Sequence, residues 1–171
     1  MASGKPISDV MLQYQRDLEF IKHDEVLRDL RIGGFIENQE YWQNVKKDVI
    51  GKVSFLVENL PSKGDAAFQG FLASLQKHGH NNLASNLRAC EEVKTRLIEK
   101  WDELLEFLDY AQISGKLVAK GILPAEWEVG LTSAQKRREA ILLAVRGRGP
   151  YGYQAFLDAL SEIGQSFLME N

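Results

Sequence analysis

The chain has 171 residues, 44% hydrophobic and 26% charged, with a net charge of −3. This is ordinary globular composition, and the weak negative balance argues against a general nucleic-acid binder. No apolar run approaches the ~18 residues of a membrane span, and MASGKPIS lacks a signal-peptide core.

A single cysteine, Cys90, excludes an intramolecular disulfide and fits a reducing compartment, with the cytoplasm as the default address.

Residues 1–7 read as frayed. Ser8 or Asp9 is placed to cap a helix starting at Val10, in which Val10, Met11, Tyr14, Leu18 and Ile21 form one apolar stripe. Asp24 is expected to cap a short second helix with Val26, Leu27 and Leu30 inward. Gly33-Gly34 ends it, and Phe35 and Ile36 plug the turn. A third helix, Asn38–Val45, carries Tyr41 and Trp42. Residues 46–60 read as a fourth, with Val49, Val53, Leu56, Val57 and Leu60 inward. Gly51 inside it costs roughly 1 kcal/mol relative to Ala, so this helix should bend or start later. Pro61 and Gly64 mark a turn, residues 66–77 form a fifth helix around Phe68, Phe71, Leu72 and Leu75, and Gly79 is a left-handed stop.

From Asn81 no Gly or Pro occurs until Gly115. A sixth helix bearing Leu83 and Leu87 is therefore expected to run on through Val93, Leu97, Trp101, Leu104, Leu105 and Leu108. Beyond it the order of elements returns. Leu117 and Val118 lie in a short helix ended by Gly121, Ile122 and Leu123 are the plug, and Pro124 starts a short helix holding Trp127. Thr132 or Ser133 caps a helix with Ile141, Leu142 and Val145 inward. Gly149-Pro150 leads into a helix with Tyr153, Phe156, Leu157 and Leu160, Gly164 stops it, and Phe167 and Leu168 close the bundle.

The recurrence is an internal repeat. At a constant offset of about 85, a domain-sized spacing, Gly64/Gly149, Gln69/Gln154, Phe71/Phe156, Leu72/Leu157, Leu75/Leu160, Gly79/Gly164 and Leu83/Leu168 coincide. The fold expected is all-α: two antiparallel six-helix bundles in tandem, over 8–90 and 91–171, joined by a continuous or near-continuous helix. Trp42, Trp101 and Trp127 are expected to anchor the cores.

The runs LVENLPSKGDAAF with Phe71-Leu72, Leu75, Gly79 and Leu83, and RGPYGYQAFLDALSEIGQSFL in the second half, resemble the caspase-recruitment domain (CARD), a branch of the death-domain superfamily. The wording is nearest to initiator-caspase CARDs, and LRIGGFI and AKGIL are similar to the family's second-helix exit. The resemblance covers both halves. Asp65 stands where Pro150 sits in the second copy, a departure from the repeat. The resemblance implies a non-enzymatic adaptor or prodomain, or a CARD-only decoy. Its implied partners are other CARD proteins (an initiator caspase, adaptor or sensor) or further copies of itself in apoptotic or innate-immune signalling, with no cofactor, nucleic acid or membrane span.

The resemblance also implies contact between a basic patch on the first and fourth helices and an acidic patch on the second and third. Candidate cations in the second half are Lys136, Arg137, Arg138, Arg146 and Arg148. Arg137 and Arg138 are expected to project outward, because Ile141, Leu142 and Val145 take the inner face. Glu126 and Glu128, on the expected third helix, are the second half's thin acidic counterpart. In the first half Asp24, Glu25, Asp29, Glu37 and Glu40 form a stronger acidic face, and Arg16, Lys46, Lys47 and Lys52 a weaker basic one. A solvated helix face explains the same charges without a partner.

The acids Glu91, Glu92, Glu99, Asp102, Glu103, Glu106 and Asp109 read as a solvated stripe with partners such as Arg96 and Lys100. His78 and His80 flank Gly79 without the companions a metal site needs. A catalytic reading has Cys90 to build on but no Gly-rich phosphate loop.

Overall fold

The computed structural model describes the backbone of residues 4–170 and side chains from Pro6 onward. It is all-helical among those residues, with no strand. Two compact units divide between Glu91 and Glu92. The buried apolar residues form two clusters, one drawn from Ile7 to Cys90 and one from Val93 to Met169.

In the first unit α1 is Gly4–Gln13, followed by a 3-10 turn at Asp17–Phe20, α2 at His23–Ile32, α3 at Asn38–Val45, α4 at Val49–Asn59 and α5 at Asp65–Lys77. The α6 helix, Asn81–Glu99, is uninterrupted across the Glu91–Glu92 division. The second unit continues with α7 at Trp101–Phe107, α8 at Tyr110–Ala119, α9 at Ala134–Gly147, α10 at Gly149–Glu162 and a 3-10 turn at Ser166–Met169.

The inward faces follow the apolar spacing. Val26, Leu27 and Leu30 on α2, Phe68, Phe71, Leu72 and Leu75 on α5, and Ile141, Leu142 and Val145 on α9 are all buried. Burying each large side chain such as Phe71 or Phe156 contributes about 1.5–3 kcal/mol. The Gly51 question resolves as a late start. Asp48 is the N-cap of α4 and its side chain accepts from the Gly51 N–H at 2.8 Å, so the glycine sits in the first turn. Ser133, not Thr132, caps α9 by accepting from Lys136 N–H at 3.1 Å.

Several expectations are corrected. Residues 4–7 belong to α1, which starts before Ser8 and Asp9, and Ile7 is fully buried. Ile7, Val10, Met11 and Tyr14 share one helical stripe, and Pro6 lies in the first turn, where a missing N–H costs no helical bond. The helix ends at Gln13, so Leu18 reaches the core from a 3-10 turn. Asp24 lies inside the first turn of α2 and is not its cap. Val49 is exposed at the start of α4. Trp42 is 55% exposed, because Tyr41, Asn44 and Val45 make up the inward stripe of α3. Trp101 and Trp127 are partly buried against the second core, whereas Phe167 is exposed and Leu168 closes the bundle together with Met169.

The third helix expected in the second unit is replaced by successive turns, in which the N–H groups of Trp127, Val129 and Leu131 donate to Pro124, Glu126 and Glu128. The linking segment is shorter than its counterpart. Between the plug and the next N-cap the first unit has residues 37–47, eleven in all, and the second has 124–132, nine. Gly130, at φ 83°, breaks the right-handed path before a helix can propagate.

The units repeat one another at the level of single hydrogen bonds. At the α2 exit Phe35 and Ile36 N–H donate to Leu30 O at 2.9 and 3.4 Å; at the α8 exit Ile122 and Leu123 N–H donate to Leu117 O at 2.9 and 3.4 Å. Past α5 and α10, Gly79 (φ 89°) and Gly164 (φ 77°) turn left-handed. His80 N–H then returns to Leu75 O at 2.7 Å and Gln165 N–H to Leu160 O at 2.8 Å. These are the same helix-stop closures.

Candidate interaction surface

The residue after each left-handed glycine performs the same task. His80 Nε2 accepts the Lys22 backbone N–H at 3.1 Å, and Gln165 Oε1 accepts the equivalent Asp109 N–H at 2.8 Å. Neither contact was evident from residue type, since His and Gln share only an acceptor. The readable signal was their common place one residue beyond the repeated glycine.

Accepting that bond requires His80 Nε2 to be unprotonated. Burial, reinforced by Lys22, His78 and His23, lowers its pKa from the ordinary 6.5. A depressed folded-state pKa means acid favours the unfolded chain. The stability linked to His80 is complete above about pH 6.5 and is lost as pH falls toward the lower folded value. His80→Gln, which installs the second unit's solution, should keep stability at pH 7.5 and remove this part of the decline between pH 6.5 and 5. Thermal melts across that range check it; an unchanged slope would assign the titration elsewhere.

The expected acidic face on α2 and α3 is largely engaged within its own unit. Asp29 accepts Ser74 Oγ–H at 2.7 Å, lies 2.9 Å from His78 Nε2 and 3.4 Å from Lys77 Nζ. Burial alone would raise its pKa, but those three hydrogen bonds hold it below its ordinary value. Glu40 accepts Glu37 N–H at 2.9 Å and pairs with Lys63 Nζ at 2.9 and 3.0 Å, and the backbone bond with Lys63 lowers its pKa. Glu37 in turn completes the capping box of α3. Asp24 pairs with Lys52 at 2.6 Å, joining α2 to α4. Glu25 is half-buried, while Arg16, Lys46 and Lys47 are exposed.

The basic cluster of α9 also divides. Arg137 and Arg138 do not project. Their guanidinium carbons lie 5.6 and 5.5 Å from the Tyr110 ring centroid, within cation–π reach. Arg138 Nε donates to Leu108 O at 2.7 Å and its Nη1 to Leu105 O at 3.3 Å, so it caps the carbonyl end of α7. Arg137 Nη1 donates to Tyr110 Oη at 3.4 Å, and its Nε is buried without a partner. Lys136 and Arg148 are exposed and Arg146 half-buried, so the outward base is thinner than expected. Glu126 and Glu128 are exposed on turns.

Cys90 is fully buried on α6, its Sγ 3.4 Å from Tyr14 Oη. Burial, with the Cys90 contact, pushes the Tyr14 pKa up. The thiol packs within the first unit's core. No helix among the described residues is long and apolar enough to cross a membrane.

No protein-family model matches the chain, and no curated protein or solved structure does either.

Proposed function

We propose that the chain is a non-enzymatic protein–protein interaction module: a tandem of CARD-like bundles, over 8–90 and 91–171, that binds other CARDs homotypically as an adaptor or prodomain in apoptotic or innate-immune signalling. The observation that carries the reading is the duplicated capping geometry. Both units stop a helix with a left-handed glycine, and both use the next side chain to accept a backbone N–H from the segment following their first helices. Together with the motif runs, that favours two copies of one domain over two unrelated bundles. Exposed charges that remain after internal pairing, Arg28 on α2, Lys46 and Lys47 after α3, and Asp102, Glu103 and Glu106 on α7, support interaction through charged faces.

Light scattering on the purified chain across protein concentration and salt tests the reading. Charged-face contacts between copies should give species larger than a monomer at low salt and dissociate as the screening length falls from about 30 Å at 0.01 M to about 3 Å at 1 M. A monomer at every concentration and salt would rule out homotypic self-assembly. Arg137 and Arg138 are unsuitable probes here, because reversing their charge disturbs the fold of the second unit as well as its surface.

A further inference from the structure

With Asp24, Asp29 and Glu40 paired internally, Arg28, Arg31 and an aromatic pair form a cationic and aromatic patch on this surface, beside Glu25 and Glu37, which have no ion pair among the described residues. Arg31 lies over the Tyr41 ring, 4.2 Å from its centroid, and 5.7 Å from the Trp42 ring. Tyr41 and Trp42 meet edge-on at 5.0 Å and 71°. Arg28, one turn before Arg31 and Ile32, is exposed; Ile32 is 72% and Trp42 55% exposed. A preorganised guanidinium beside an accessible indole is the composition of a binding hot spot, since little side-chain entropy remains to be lost.

The complementary chemistry lies on α7. Asp102, Glu103 and Glu106 are exposed, and none has an ion pair among the described residues; Phe107 beside them is 56% exposed. Arg138 lines the same shallow hollow as Asp102 and Glu106, but its guanidinium is directed at the Leu105 and Leu108 carbonyls. Three carboxylates and an aromatic ring thus stand against two guanidinium groups, an indole and an isoleucine. Arg pairs bidentately with carboxylates, which makes the match directional.

We propose that the α2–α3 face of the first unit, centred on Arg28, Arg31, Ile32 and Trp42, docks the α7 face of a second copy. The proposal rests on the interaction-module reading and names its surface. The docking patch centred on Arg28 and Arg31 is cationic, whereas the α2–α3 patch expected from the sequence is acidic. Because the two faces differ, the contact is heterologous: a bound copy still offers one face of each kind, so assembly continues unless geometry closes a ring.

The experiment uses two full-length variants, Arg28→Glu/Ile32→Glu, which leaves the Arg31 stack in place, and Glu103→Arg/Glu106→Arg. All four positions are exposed or lack an internal ion pair, and thermal melts matching wild type establish folding. At low salt the average mass of wild type should rise with concentration, while each variant alone stays at the monomer mass. Mixed in equal amounts, the variants should associate again, because the intact α7 face of one meets the intact α2–α3 face of the other and the two reversed faces are again opposite in charge. Folded variants that assemble like wild type would overturn this docking surface and leave the broader reading standing. A monomeric wild type would overturn docking between copies and leave binding to a different CARD protein as the remaining form of the broader reading.

Discussion

Replacing Arg138 by Glu should destabilise the second unit by about 3 kcal/mol, read as an approximately hundredfold loss of hydrogen-exchange protection in α7. The cause is an accounting of carbonyls. In a continuing helix Leu105 O would accept from Asp109 N–H, but that N–H is taken by Gln165 Oε1. Arg138 Nη1 supplies the missing donor at 3.3 Å, and its Nε bonds Leu108 O at 2.7 Å. Charge-assisted bonds are each worth about 1.5–3 kcal/mol, and a carboxylate at a helix C-terminus is repelled by the helix dipole. Arg138→Gln, which retains a donor without the charge, should lose roughly half as much. If Arg138→Glu leaves α7 protection unchanged, the guanidinium is a surface group and its outward reading is restored.

The inner faces were legible because burial imposes a period on the sequence: Phe71, Leu75, Phe156 and Leu160 could occupy one side of a helix only. The glycine stops were legible for a related reason, since Gly79 and Gly164 supply a backbone conformation that L-residues resist. What could not be read was the direction of long polar side chains. Arg137 and Arg138 occupy the outer half of α9 by spacing, yet their length lets them fold back onto Tyr110 and the end of α7.

Asp29 likewise has an acidic surface identity in the sequence, but its conformation is decided by Ser74, Lys77 and His78, 45 to 49 residues away. The outward position of Trp42 was available in principle, because Tyr41, Asn44 and Val45 already complete a helical stripe. Expecting a tryptophan to be buried overrode that spacing. The lost third helix of the second unit needed the two copies aligned on both sides of the plug, where the two-residue deficit becomes visible.

Asp29→Ala should cost the first unit about 3 kcal/mol, with hydrogen-exchange protection in α2 and α5 falling together. The carboxylate ties α2 to three polar groups at the end of α5. Its side chain is 15% exposed, and Ser74, whose hydroxyl it accepts, is 3% exposed. Removing the acid leaves a buried hydroxyl without its acceptor and takes the partner from the enclosed His78, which is more costly than a bond never made, whereas Lys77, 67% exposed, loses little. The double variant Asp29→Ala/Ser74→Ala should therefore be more stable than Asp29→Ala alone, because the stranded hydroxyl is gone.

The pH dependence has a fixed sign. A carboxyl whose folded pKa lies below its unfolded value adds stability above the unfolded value and loses it as pH falls through the folded one. Wild type should weaken below about pH 4 through Asp29, and Asp29→Asn should flatten that limb while leaving any His80-linked loss nearer pH 6 intact. The separation matters, because it assigns two acid transitions to two joints of the same unit: His80 at the entry to α2, and Asp29 at its contact with α5. Loss of both transitions in Asp29→Asn would mean that the joints open as one.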